Sequence, residues 1–359
     1  MSCETPAEKL KLKQRWQQLT CAPNGYEIER KLISRRFEVS SCRSIMSLNS
    51  TQNDSIAHFI KQLLEGKYRL TWHPCLCGNQ KFTLIAEIDR YAIPTNTLIC
   101  NRCGQVQSNP VLDEVSLASF YRRYYRAIYS GSATPKDKHF KEQLRQGKRI
   151  QRFFASHGFK PGRKIFEIGC GAGGILHVFK SSGHELYGCD FNDAFLECGR
   201  SRGLNLYAGD ASSLRPHAKA DLIILSHVIE HFFDPIKELN HINQLLADDG
   251  FVYIEVPNLK RLNSYYRADV LRFFQNAHNW HFVPGSLDRL MSACGYRRTF
   301  GNQKIRAIYQ KNSAKPIPTL EGEAYRQLLL CRKHERRRPW LSPVIGFLED
   351  FASRHRADN

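Results

Sequence analysis

A chain of 359 residues exceeds one ordinary domain and suits two, or one large domain with an attached module. Hydrophobic residues at 42% with charged residues at 24% exclude a disordered chain, and no apolar run is long enough to cross a bilayer, so a globular, cytoplasmic protein without a membrane span is expected. A net charge of +19 favours encounter with polyanions, anionic substrates or membrane surfaces and names none of them.

Residues 1–70 mix charged, polar and isolated apolar positions and read as a flexible basic extension. One amphipathic helix is expected there, from about Ile56 to Leu64, where Ile56, Phe59, Ile60, Leu63 and Leu64 share a face. Residues 71–112 change to short strand-like pieces around cysteines: HPCLCG, KFTLIAEI, TLICNRCG and VQSNP. Twelve cysteines without a secretion signal favour reduced thiols or metal ligands over a disulfide framework. Cys75, Cys77, Cys100 and Cys103 form two knuckles, C-x-C-G and C-x-x-C-G, separated by a hairpin length of chain. Four thiolates close a tetrahedral site with no open position, so a structural zinc ion is expected in a zinc-ribbon-like β module. The first knuckle has one spacer residue where two are usual, and His73 stands near enough to replace a poorly placed cysteine.

Residues 113–160 hold the stretch FYRRYYRAIYSG and a basic helix from about Lys136 to His157, read as a linker. From Arg163 strands and helices alternate: KIFEIG, a helix from Gly173, ELYGCD, a helix from Asn192, LNLYAG, ADLIILS, a helix to about Leu246, and FVYIEV. That alternation predicts a doubly wound, Rossmann-like α/β domain over 161–312 with a mostly parallel sheet. YRRTF and KIRAIYQ, after a helix from Pro284 to Cys294, are expected to close the sheet as a hairpin. Residues 313–359 read as a basic helical tail whose run from Arg332 to Arg338 is a solvated surface.

Glu167-Ile-Gly169-Cys-Gly171-Ala-Gly173-Gly174 follows an apolar strand and opens a helix. Glycines let backbone approach a ligand closely, and a helix N-terminus offers N–H groups to an anion, so a nucleotide-like cofactor is expected. Gly169, Gly171 and Gly174 fit the dinucleotide fingerprint, whereas Glu167, Gly169, Gly171 and Gly173 fit the acidic-x-Gly-x-Gly-x-Gly form of methyltransferases. Asp190, ending the next strand, can accept hydrogen bonds from ribose hydroxyls in either case. His227-Val-Ile-Glu230-His231 also matches the H-x-x-E-H pattern of inverted zinc peptidases. His227, however, directly follows a strand where such a site needs a regular helix.

Gly209-Asp210-Ala211, the segment from Ser226 to Pro235 and Glu255-Val-Pro-Asn258 follow strands three, four and five. With the glycine loop, this combination resembles the class I S-adenosylmethionine-dependent methyltransferases over residues 161–258. The resemblance implies S-adenosylmethionine as cofactor. It gives the methionine end to the loop from Glu167 to Gly173, the ribose to Asp190, the adenine to Asp210 and Ala211, and the sulfonium side to Ser226 and His227. Together with the cysteine module and the tyrosine-rich stretch, residues 71–300 are similar to bacterial methyltransferases of sugar and surface-polysaccharide biosynthesis. That likeness implies a small anionic sugar or nucleotide-sugar as acceptor. Glu230 and His231 stand beside the expected donor and, with His281 (and His278), are the candidate acid–base groups. Two rivals are a nucleic-acid methyltransferase, suggested by zinc, tyrosines and basic residues, and a non-catalytic zinc-containing binding protein. After strand four stands Leu225-Ser-His-Val rather than the proline- and aromatic-containing loop that grips an extruded base, and no Pro-Cys nucleophile occurs over residues 161–312.

Overall fold

The computed structural model describes residues 5–132, 137–262, 266–301, 305–311, 317–318 and 322–354, the last fourteen as backbone. Parts of the basic linker (133–136) and of the C-terminal tail (312–316, 319–321, 355–359), and the first four residues, lie outside the described residues. In chain order the elements are α1 (Pro6–Leu19), β1 (Glu27–Arg30), α2 (Ser50–Leu64), β2 (Leu70–Thr71), β3 (Lys81–Ile88), β4 (Pro94–Cys100), β5 (Val106–Ser108), β6 (Val111–Leu112), α3 (Glu114–Phe120), α4 (Arg126–Ser130), α5 (Asp137–Ser156), β7 (Lys164–Ile168), α6 (Gly174–Phe179) and β8 (Glu185–Asp190). Then come α7 (Asp193–Arg200), β9 (Asn205–Ala208), β10 (Ala220–Ser226), α8 (Pro235–Leu245), β11 (Leu246–Glu255), β12 (Trp280–His281), α9 (Pro284–Ala293), β13 (Tyr296–Gly301), β14 (Arg306–Lys311) and α10 (Glu323–Arg354). They divide between two compact units, one of residues 1–117, 257–286 and 319–359, the other of 118–256 and 287–318.

The first unit is built on a five-stranded sheet of order β1-β3-β4-β5-β12, in which only β1 runs parallel to its neighbour. The ribbon expected over 71–112 is therefore the middle of a larger sheet. Its extra strands come from the N-terminal residues and from β12. The N-terminal residues differ from the flexible extension expected of them. Two capped helices form there, and α1 starts with a capping box: Thr5 accepts from the Glu8 N–H while Glu8 accepts from the Thr5 N–H. The Thr-Pro-Ala-Glu signature was present in the sequence. Its meaning is hidden because α1 buries only Leu12 and Trp16, too few apolar positions to declare a period. Trp16 anchors the helix by burying its ring and donating from Nε1 to Asn96 Oδ1 at 2.8 Å.

The second unit is a seven-stranded sheet of order β13-β14-β11-β10-β7-β8-β9. Strands β7 to β11 are parallel, and β14 runs antiparallel between β11 and β13. That inserted antiparallel strand departs from the wholly parallel order of dinucleotide-binding folds. The core joins Ile165, Leu222, Ile224, Tyr253 and Ile308 of the sheet to Leu176 and Phe179 of α6. The segment read as a linker contributes to the same core, since α5 buries Ile150, Phe153 and Phe154 there. A basic helix can have one apolar face, and its charge count concealed that face.

Candidate functional site

In the α/β unit the strand that ends the first β-segment delivers Glu167 to the interior, only 1% exposed. Burial pushes its pKa well up, its carboxylate takes the Leu176 N–H, and Oε2 has no hydrogen-bond partner among the described residues. The chain then turns through Gly169, Gly171 and Gly173, all at positive φ. At Gly171 (φ 54°) the backbone disfavours a side chain, and a Cβ, 2.6 Å from Gln143 Nε2, would push that amide away from the loop. Three of the loop's N–H groups are already used within the protein. Gly171 donates to Asp190 Oδ2 at 2.9 Å, Gly173 to the Cys170 carbonyl at 2.8 Å, and Gly174 to Gln143 Oε1 at 3.3 Å.

Asp190, closing β8, also accepts from the Asn192 N–H at 2.9 Å and from Arg126 Nη2 at 3.3 Å. Arg126 lies 4.2 Å over the Phe195 ring. Next to Asp190, Phe191 leaves 55% of its surface exposed, a flat apolar ring at the mouth of the loop. Asp210 and Ala211 follow β9 as expected. Asp210 is exposed and caps a 3₁₀ turn through the Ser212 N–H, and Ala211 is buried. Ser226 ends β10 and accepts from Gln146 Nε2 at 2.5 Å. Arg126, Gln143 and Gln146 thus touch the loop, Asp190 or Ser226 from the segment read as a linker. Sequence reasoning missed them because polar and basic residues scattered over α4 and α5 carry no motif.

His227 leaves the strand in the left-handed region (φ 58°), a conformation costly for most residues and found at functional positions. The turn Ile229–His231 is a 3₁₀ helix, which removes the regular helix an H-x-x-E-H peptidase requires. His227 Nδ1 lies 3.4 Å from Glu230 Oε1, and Glu230 is 1% exposed. Burial opposes the imidazolium, but Glu230, with Glu255 nearby, outweighs it and raises the His227 pKa. Glu255, at the end of β11, is itself penalised by burial. His227 and Arg306 more than offset that penalty, Arg306 through a 2.8 Å bond, and its pKa falls. His231 stands edge-on to the rings of Tyr121 and Tyr125, at 6.1 and 5.8 Å between centroids. Both tyrosines sit in a π-helical turn, Tyr121–Tyr125, a rare geometry that recurs at functional sites. The Tyr121 hydroxyl is buried without a partner, and burial first, then Tyr125 and Glu230, push its pKa well up.

His281, expected as a further acid–base group, belongs to the other unit. It pairs with Val106 in β12, neither ring nitrogen has a partner, and burial lowers its pKa to about 3. It is a neutral imidazole there. In that unit the two cysteine knuckles converge. The four sulfurs lie within 4.8 Å of one another, with Cys75 and Cys103 at 3.4 Å and Cys77 and Cys100 at 3.6 Å. An ion with metal–sulfur bonds of about 2.3 Å holds tetrahedral sulfurs about 3.8 Å apart, so the donor set fits zinc. His73 stays outside this group, its backbone bonded on both sides by Asn109.

Residues 137–299 match a family model described as a methyltransferase domain. The C-methyltransferase NovU of Streptomyces niveus is 26% identical over 212 residues, 57% of this chain and 47% of that protein. "Probable tRNA methyltransferase 9B" of Mus musculus is 30% identical over 156 residues, 42% of this chain and 33% of that one. The chain spans less than half the length of the curated relatives it matches. Among solved structures, the 1,6-didemethyltoxoflavin-N1-methyltransferase of Burkholderia thailandensis is 15% identical, with a TM-score of 0.43 and coverage of 58% of this chain and 96% of that one. Glycine loop, β8 carboxylate, sheet order and family match agree: over residues 137–299 the chain carries a methyltransferase domain of the α/β, Rossmann-like kind.

Proposed function

We propose that the chain is an S-adenosylmethionine-dependent methyltransferase acting on a small anionic acceptor, a sugar or nucleotide-sugar, with a structural zinc ion in the cysteine cluster. One observation carries the cofactor reading. The glycine loop spends its N–H groups on Asp190, Cys170 and Gln143, leaving few for a pyrophosphate, while Glu167 holds an unpartnered buried carboxylate oxygen. A site short of donors and holding an uncompensated acid suits a cationic ligand better than a dinucleotide. When bound, S-adenosylmethionine supplies an electrophilic methyl group on a sulfonium. The chain's own part is to hold the ammonium end with Glu167 and the loop, the ribose with Asp190, and the adenine between Phe191 and the Asp210–Ala211 turn. Methyl transfer needs in-line approach, so alignment is the main contribution of such a protein. Glu230 and His231 stand where an acceptor proton would be taken up, and the His227–Glu230 pair sets the charge beside them.

The acceptor class is supported by the exposed basic face of α5, where Arg145, Lys148, Arg149 and Arg152 present guanidinium and ammonium groups to anions. The name of the mouse relative favours RNA as the second reading. Incubation with methyl-labelled S-adenosylmethionine and a panel of nucleotide sugars, tRNA and neutral alcohols separates the two. Label on a nucleotide sugar is the expected result, and label on tRNA alone would replace it with the rival. On the proposed reading, Arg145→Ala or Arg149→Ala raises KM about tenfold with little change in kcat.

A further inference from the structure

The helix α10 carries a surface the proposed chemistry does not use. Its inner side is settled within its own unit: Gln327, Leu328 and Cys331 are buried, and Glu335 meets Arg36 at 3.4 Å and Ser34 at 3.3 Å. The opposite side presents Tyr325, Leu329, Lys333, Arg336, Arg337 and Trp340; apart from the adjacent Arg336 and Arg337, successive members are three or four residues apart and so gather on one side of the helix. Tyr325 is 65% exposed, Leu329 39% and Trp340 81%. At 1.5 Å per residue the stripe is about 22 Å long. A merely solvated helix face is polar throughout, whereas this one interleaves two large aromatic rings and a leucine with cations.

We propose that this stripe docks the protein on an anionic lipid surface, lying in the headgroup layer without crossing it. Tryptophan and tyrosine suit the boundary between headgroups and acyl chains, where one end of the ring is apolar and the other wet. Lysine and arginine bury their stems while the charged heads reach lipid phosphates. The net charge of +19 draws the whole chain to such a surface. A single-stranded nucleic acid is the poorer fit, because it is held in grooves with bases stacked on flat rings, and Leu329 on a convex face offers a base nothing. No helix among the described residues is long and apolar enough to span a bilayer, which agrees with peripheral docking.

The test is flotation of the full chain with phosphatidylcholine vesicles, with and without about one-third phosphatidylglycerol. Binding to the anionic vesicles alone, weakened at higher salt, is the expected result. The triple change Lys333→Glu, Arg336→Glu, Arg337→Glu should weaken it at least about tenfold, and Trp340→Ala several-fold. Emission that is lost in Trp340→Phe should shift to the blue when vesicles are added to the unaltered chain. Equal binding to neutral vesicles, no binding, an unmoved Trp340 signal, or displacement of the protein from vesicles by a tRNA pool would each overturn the proposal. Trp340→Ala changes one exposed ring, so its circular dichroism should match the unaltered chain and its loss of binding is then not a loss of fold.

Discussion

Asp190 illustrates how a single carboxylate can serve two purposes in one site. It ties the glycine loop down through Gly171, with Arg126 as its present counter-charge, and on the proposed reading its remaining acceptor capacity goes to a ribose. Asp190→Ala should therefore weaken S-adenosylmethionine binding by about 1.5–3 kcal/mol, the worth of charge-assisted bonds. Titration calorimetry on the two proteins measures it, and unchanged affinity would remove Asp190 from the site. His227 gives a second test at this scale. Because Glu230 and Glu255 hold its pKa above the ordinary value, the ion pair's stabilisation is fully present below about pH 6.5 and is lost as pH rises through the raised pKa. In Glu230→Gln burial is opposed less, so the imidazole should titrate at lower pH in a histidine NMR series. An unmoved titration would mean that Glu230 is not its partner. At this scale the placement of Glu167 and Asp190 in neighbouring strands and of the glycines in the turn between strand and helix was legible, because that pattern of residue types comes at fixed spacing. The His227–Glu230 pair was not, since its geometry depends on a residue at positive φ that no spacing announces.

Among the elements, α5 was legible as a helix, from about Lys136 to His157, but not in its packing, for a reason its glycine explains. Gly147 sits mid-helix, where propensity alone disfavours it, yet a Cβ there would stand 2.7 Å from Val178 Cγ2 and 2.9 Å from the Ile175 carbonyl. The glycine lets α5 lie close against α6, and that closeness lets Gln143 reach the loop. Gly147→Ala would gain about 1 kcal/mol of helix propensity and lose more to the clash, for a net cost of about 1–3 kcal/mol. A thermal melt that is raised instead would show that α5 can move aside. The convergence of the cysteine knuckles was legible, because two short spacings across a hairpin are enough to bring four sulfurs together. Their expected consequence is one zinc per chain by elemental analysis of protein purified without chelators, falling markedly in the Cys100→Ser, Cys103→Ser double variant. Content near zero would leave the cluster as reduced thiols.

Over the whole chain, the alternation of strands and helices forecast the parallel sheet and its closing hairpin, both of which the α/β unit contains. Before the cysteines, α2 was legible from its period, with Ile56, Phe59, Ile60 and Leu63 buried as expected. By contrast α1 was opaque: it is held by a few anchors such as Trp16, and anchors without a period look like loop. A site with an orphaned acid and its backbone donors already spent should take a sulfonium cofactor and refuse a dinucleotide. Calorimetric titration of the full chain with S-adenosylmethionine and, separately, with NADH tests this directly. The account predicts saturable binding of S-adenosylmethionine at micromolar concentration, on the order of 8 kcal/mol, and no measurable heat from NADH. Binding of NADH more tightly than S-adenosylmethionine, or of neither, would contradict it.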